Sequence, residues 1–256
     1  MSRSTPKAAA LAIILVVCAI ALFPTAVERR QSAPSHLVRP IPKQRLSMLV
    51  VGDSLSISLG EQLEQHFAKY SDRIDFQRLG KVSSGLARPD FFDWEQNLQE
   101  LVSQWHPHIV LVMIGTNDNK PLRRDQRTFP FGTEAWRREY RSRLQRLYDI
   151  CRSKNPSARL FWMGAPIMRD TTLAHELRFI NRTIESWCRG IQGCEYISTW
   201  STLADKDGKF IETFEDEETG RSVSVRSKDG VHLAPHGSYL LARTALNAIQ
   251  KYYSLE

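Results

Sequence analysis

The chain has 256 residues, 42% of them apolar and 25% charged, with 13 Gly and 12 Pro. That composition excludes collagen, a long coiled coil and a disordered chain, and the length suffices for a full hydrophobic core. The formal net charge of +7 invites a nucleic-acid reading, but the charge is not spread evenly. Residues 120–146 hold nine Lys/Arg against three acids, and residues 1–30 hold four against one. The remainder is slightly acidic, so general polyanion binding loses its support and no nucleic-acid partner is expected.

In chain order, Arg3 and Lys7 precede Ala8–Phe23, sixteen residues without a charge. Basic residues ahead of an apolar run are what an export segment requires. Two readings stay open for residues 1–27: an uncleaved signal anchor in the inner membrane, or a signal peptide cleaved near Ala19-Ile20-Ala21. Residues 28–45 are polar and proline-containing, which predicts a tether. The folded body is then residues 46–256, placed in the periplasm. Its three cysteines, Cys151, Cys188 and Cys194, leave at least one thiol unpaired. A small Cys188–Cys194 loop is expected in an oxidising compartment, with three free thiols as the alternative. No His/Cys cluster has zinc-like spacing, so neither metal nor cofactor is expected.

From Leu46 onward, apolar runs alternate with amphipathic segments. Strands are predicted at Leu46–Val51, Ile74–Leu79, Ile109–Ile114, Leu160–Gly164 and Tyr196–Ser198. Helices are predicted at Glu61–Tyr70, Trp94–Trp105, Thr133–Arg152, Leu173–Arg189 and Pro235–Tyr253. Continuous apolar strands between helices argue for a single three-layer α/β/α domain with a mainly parallel sheet of about five strands.

Open α/β sheets form their sites at the carboxyl ends of the strands. Three polar motifs lie there: Gly52-Asp53-Ser54-Leu55-Ser56, Gly115-Thr116-Asn117-Asp118, and Asp229-Gly230-Val231-His232 before the last helix. Each alone is an ordinary turn or helix cap. Together they supply a nucleophilic hydroxyl, a polar hydrogen-bond donor, and a base with an orienting carboxylate. Asp53 is expected to position the nucleophile turn. Asp118 and Arg226 are further candidates for contacting substrate, with Asp118 alternatively holding the Asn117 loop.

The same blocks resemble the SGNH (GDSL-type) hydrolase superfamily. VVGDSLS is similar to its nucleophile block, GTND to its Asn block and DGVHLAPHG to its C-terminal Asp/His block. KVSSGLARPDFFDW offers Gly85 where the family has its second-block glycine, and Gly80 also lies in this region. The resemblance covers residues from about 46 to 250 and implies a flavodoxin-like SGNH fold. It implies Ser54 as nucleophile, His232 as general base and Asp229 as its orienting acid. It also implies an oxyanion hole from the Ser54 N–H, the Gly85 N–H and the Asn117 side chain.

With the export segment, the expected function is a serine esterase removing acyl groups, chiefly O-acetyl, from a cell-envelope carbohydrate. The alternatives are an O-acyltransferase using the same residues and a catalytically silent envelope module. Phe91, Phe92 and Trp94 are expected in the core, with a pocket-lining role as the alternative. The basic stretch is expected to overhang the site with Lys120–Arg127. Its Arg137–Arg146 part is expected on the solvated or membrane-facing side of a helix.

Overall fold

A computed structural model describes residues 45–215 and 220–254. The stretches expected to be an export segment and a tether lie, but for Arg45, outside the described residues, all of which belong to one compact unit.

The sheet follows directly from the apolar runs. Strand β1 (Leu46–Gly52) is buried at six of its seven positions, and β3 (Ile109–Met113) is buried throughout. Strand β2 (Ile74–Gly80) lies on an edge and is only half-buried, which accounts for its polar alternation. With β6 (Arg159–Met163) and β7 (Cys194–Ile197) the order is β2-β1-β3-β6-β7, every pair parallel. The chain winds outward in both directions from β1 and β3. The two strand exits at this switch point diverge, opening the crevice where such folds bind ligands.

Helices α1 (Ser54–Phe67) and α5 (Pro235–Ile249) pack on one another, and α3 (Glu134–Arg152) packs between α2 (Trp94–Trp105) and α4 (Thr171–Cys188). Four of the five helices begin at a side-chain cap, from Asp53, Asp93, Thr133 and Asp170. Each cap satisfies an orphan first-turn amide and contributes about 1 kcal/mol. Along α3, Trp136, Tyr140, Leu144, Leu147 and Cys151 form the buried stripe.

The architecture is the expected α/β fold, with three local differences. Helix α1 starts at Ser54 rather than Glu61, because the Asp53 cap and the buried Leu55-Leu59-Leu63 stripe carry it back to the strand end. Two hairpins appear in stretches where no strand is predicted: β4 (Leu122–Arg124) with β5 (Arg127–Phe129), and β8 (Thr213–Glu215) with β9 (Ser222–Ser224). At three mostly polar residues each, these strands carry no periodicity to detect.

Cys188 and Cys194 form a disulfide across the turn from α4 into β7, while Cys151 is a free thiol buried in the core. Burial pushes that thiol well up, so Cys151 is no nucleophile. No helix among the described residues is long and apolar enough to cross a membrane.

The basic face of α3 departs from the expected solvated surface. Arg143 is only 5% exposed and Glu139 3%, because the β4–β5 hairpin and the Gly85 segment cover them. The Arg143 guanidinium donates to Glu139 and to the carbonyls of Leu86 and Arg123. Glu139 also pairs with Arg124 at 2.6 Å, and Arg146 forks onto Glu95 at 2.9 Å. Of the stretch's nine basic residues only Arg143 is buried, while Arg124, Arg137 and Arg146 are ion-paired at the surface.

Candidate active site

The site begins where β1 stops. Asp53 is the first residue past the strand and is fully buried. One carboxylate oxygen accepts from Leu55 N at 3.1 Å, capping α1, and the other accepts from Thr116 N at 3.1 Å. A single side chain thus ties the exit of β1 to the exit of β3 and holds the Ser54 and Asn117 turns together. Ser54 opens α1, so its own N–H is one of the first-turn amides with no intrahelical acceptor.

His232 arrives from the other end of the chain. Its Nε2 lies 3.0 Å from Ser54 Oγ, and its Nδ1 lies 2.7 Å from Asp229 Oδ2. A carboxylate only accepts, so Nδ1 carries the proton and Nε2 is left to accept from the serine hydroxyl. The other Asp229 oxygen accepts from Val231 N and His232 N, both at 2.9 Å. The imidazole and these two amides hold the Asp229 carboxyl down at about 2. The tight turn needs Gly230, whose φ is +74° and whose added Cβ would meet Arg169 Cβ at 2.5 Å.

Asn117 donates from Nδ2 to the Ser84 carbonyl at 2.9 Å. One of its two amide hydrogens is fixed there, which orients the other. Ser84 is itself held, accepting at Oγ from Trp94 Nε1 at 3.0 Å and donating to the Lys81 carbonyl at 2.7 Å. Next to it, Gly85 packs against Asp118: a Cβ there would lie 2.3 Å from Asp118 Oδ1. The Gly85 and Asn117 blocks therefore meet through two independent contacts. A hydroxyl within hydrogen-bond reach of an oriented imidazole is the arrangement that acyl transfer through a covalent acyl-serine requires. Among the described residues no group of His, Cys, Asp or Glu is arranged to hold a metal ion.

A family described as "Protein of unknown function (DUF459)" matches residues 47–248. The chain belongs to the DUF459 family. Its fold is that of the SGNH hydrolases. A carbohydrate esterase family 3 protein from Talaromyces cellulolyticus superposes with a TM-score of 0.57 at 13% identity, covering 80% of this chain and 98% of the other. The periplasmic domain of a Salmonella ser. Paratyphi A lipopolysaccharide acetyltransferase gives 0.55 at 14%, over 82% and 85%. A Clostridium thermocellum family 3 carbohydrate esterase gives 0.50 at 14%, over 80% and 94%. No curated protein sequence matches.

Two candidate substrate contacts of the DUF459 chain take other places. Asp118 is 0% exposed and its oxygens accept from Ala87 N and Tyr140 Oη, each at 2.7 Å. It holds the Gly85 segment from beneath, out of substrate reach. Arg226 is 3% exposed and donates to the carbonyls of Val231, at 2.9 Å, and Ile167. It clamps the His232 loop instead of facing substrate. Both corrections have one cause: each sits on the inner side of a loop whose outer side carries the chemistry.

Arg169 is a second clamp, donating to the Lys228 carbonyl at 2.7 Å and to Glu212 at 2.6 Å. Sequence reasoning missed it, because a side chain that binds backbone carbonyls leaves no motif. Of the aromatics, Trp94 is buried, Phe92 half-buried and Phe91 exposed.

Burial pushes the Asp53 carboxyl up from 3.8 to about 6, against the pull of its bonds to Leu55 and Thr116. Between those values the folded chain retains a proton that the unfolded chain has released, so this group's contribution lowers stability as pH rises. The melting temperature of the wild type minus that of Asp53→Asn is expected to fall from pH 3.8 to about 6 and then level off. A pH-independent difference refutes this assignment.

Proposed function

We propose that this protein is an exported serine esterase that removes acyl groups, chiefly O-acetyl, from a cell-envelope carbohydrate. The observation that carries the reading is the hydrogen-bonded chain from Ser54 through His232 to Asp229, open to solvent beside the Asn117 and Gly85 loops. In this reaction Ser54 Oγ attacks the ester carbonyl as His232 Nε2 takes its proton. The carbonyl oxygen becomes an oxyanion facing the Ser54 N–H, the Gly85 N–H and the Asn117 amide. Collapse breaks the bond to the sugar oxygen, which leaves as the hydroxyl by taking the proton from His232, and acyl-Ser54 remains. Water, deprotonated by His232, then releases the acid.

The carbohydrate part of the reading is supported by the fold shared with carbohydrate esterases and with a lipopolysaccharide acetyltransferase domain. Export is supported by the charge and hydropathy pattern of residues 1–27. The test is acetate release from O-acetylated envelope glycans by the full chain, with and without an unacetylated glycan acceptor. Release into water is the expected result, and its absence with every glycan refutes the reading. Acetate delivered mainly to the acceptor would instead identify an acyltransferase. Both outcomes use one acyl-serine, and the exposure of the His232 ring leaves room for either second nucleophile.

A further inference from the structure

Beside the Gly85 loop lies a cleft of 550 Å³ that the triad does not use, lined among others by Arg88, Asp90, Lys120 and Arg123. Its walls continue the two loops of the oxyanion side. One wall is Ala87–Asp90, which starts two residues past Gly85 and hence within about 7 Å of it at full extension. The other begins at Lys120, whose Nζ donates to the Asn117 carbonyl at 3.3 Å. The cleft is thus walled by the chain segments that directly follow Gly85 and Asn117.

The cleft is positively charged, and the charges are not all committed. Arg88 is neutralised by a two-pronged contact with Asp90 at 2.9 and 2.7 Å. Lys120 keeps two N–H groups beyond the one given to Asn117. The Arg123 guanidinium makes no hydrogen bond and no close ion pair among the described residues; its charge is felt by Asp90, which Arg88 already grips, and its backbone carbonyl anchors Arg143. Neighbouring arginines are engaged elsewhere: Arg124 with Glu139, Arg137 with Glu134, Arg146 with Glu95. Lys120 and Arg123 thus leave the cleft at +2. A planar guanidinium fork beside a point-charge ammonium suits an oxyanion such as a carboxylate or a phosphate.

We propose that this cleft is an anion subsite that holds a carboxylate or phosphate on the substrate's sugar chain, so that the substrate is an acidic glycan. The proposal rests on the carbohydrate-esterase reading of the Ser54 site. It places specificity on Arg123, with Lys120 as second contact.

The test separates binding from turnover. The full chain with Ser54→Ala is titrated at low salt with three O-acetylated methyl glycosides: a glucuronide, its neutral carboxamide and a glucoside 6-phosphate. The glucuronide or the phosphate is expected to bind about 10-fold more tightly than the carboxamide, and the tighter of the two names the group recognised. Adding Arg123→Ala should abolish that preference, Arg123→Lys should retain part of it, and added salt should weaken it. With Ser54 intact, Arg123→Ala should raise KM about 10-fold for the anionic ester alone and leave kcat unchanged.

Equal affinity for acid and carboxamide, or a preference that survives Arg123→Ala, overturns the subsite. Arg123-dependent binding to anionic vesicles with no preference among the sugars overturns it in favour of a membrane contact. An Arg123-dependent preference without acetate release by the wild type overturns the esterase reading and leaves the subsite standing.

Discussion

Ser54→Ala is expected to lower kcat for an acetyl ester by at least about 10⁴-fold, with KM little changed. Without Oγ no acyl-serine forms, and what remains is the rate supplied by binding and the oxyanion donors. His232→Ala should cost about as much, because Nε2, 3.0 Å from Oγ, is the group placed to take the hydroxyl proton. The double variant should be no slower than either single one, since the two groups act in one step.

Asp229→Asn is the more discriminating change. Its carboxylate accepts from Nδ1 at 2.7 Å, whereas an amide nitrogen turned toward the ring would donate and place the imidazole proton on Nε2. The base would then face Ser54 in the wrong tautomer, at a cost of about 10³–10⁴-fold in kcat. A fluorophosphonate probe should label the wild type at Ser54 and none of these variants efficiently. Wild-type turnover in Ser54→Ala would refute the assignment of the nucleophile.

Gly85→Ala should damage both the fold and the reaction. The new Cβ would lie 2.3 Å from Asp118 Oδ1 and 3.0 Å from its Cγ. Asp118 has nowhere to go: it is fully buried, it accepts from Ala87 N and Tyr140 Oη, and Tyr140 is stacked on Trp136 with ring centroids 4.5 Å apart. Either the carboxylate is forced off its partners or the Gly85 backbone shifts away. Overpacking of this kind costs about 1–3 kcal/mol, which in a domain of this size lowers Tm by about 2–4 °C per kcal/mol. A displaced Gly85 N–H removes one oxyanion donor, for a further loss of about 10²–10³-fold in kcat. Gly190→Ala is the control, because a Cβ there meets nothing closer than 3.8 Å. A Gly85→Ala variant with wild-type Tm and kcat would refute the contact between the Gly85 and Asn117 blocks.

Much of the site was legible because its chemistry is local. Ser54, Asn117 and His232 each stand in a short motif at the end of an element that hydropathy reveals, so chain order and the parallel-sheet rule place all three on one edge. The Asp229–His232 pair is likewise a three-residue contact within one turn. The distinction between Asp118 and Asn117, one residue apart, was not legible: one side chain points beneath the loop and the other across it toward the Ser84 carbonyl. Arg226 was misread for the same reason. Its partners are backbone carbonyls, which every residue possesses and no sequence pattern marks.

The charge shows the same division. The amino-acid sequence by itself located the excess of basic residues in 120–146. It also marked the strands and the motifs of Ser54, Asp229 and His232, which the structure joins by hydrogen bonds, because both depend on residue type and short-range spacing. Only the tertiary structure decided which of those basic residues are buried or paired. Arg143 is buried under the β4–β5 hairpin and Arg146 is paired with Glu95, 51 residues away, while Arg123 is left facing the cleft beside the site. Pairing and burial are set by which surfaces meet when the sheet and helices close. Net charge counts the residues but not the contacts that neutralise them.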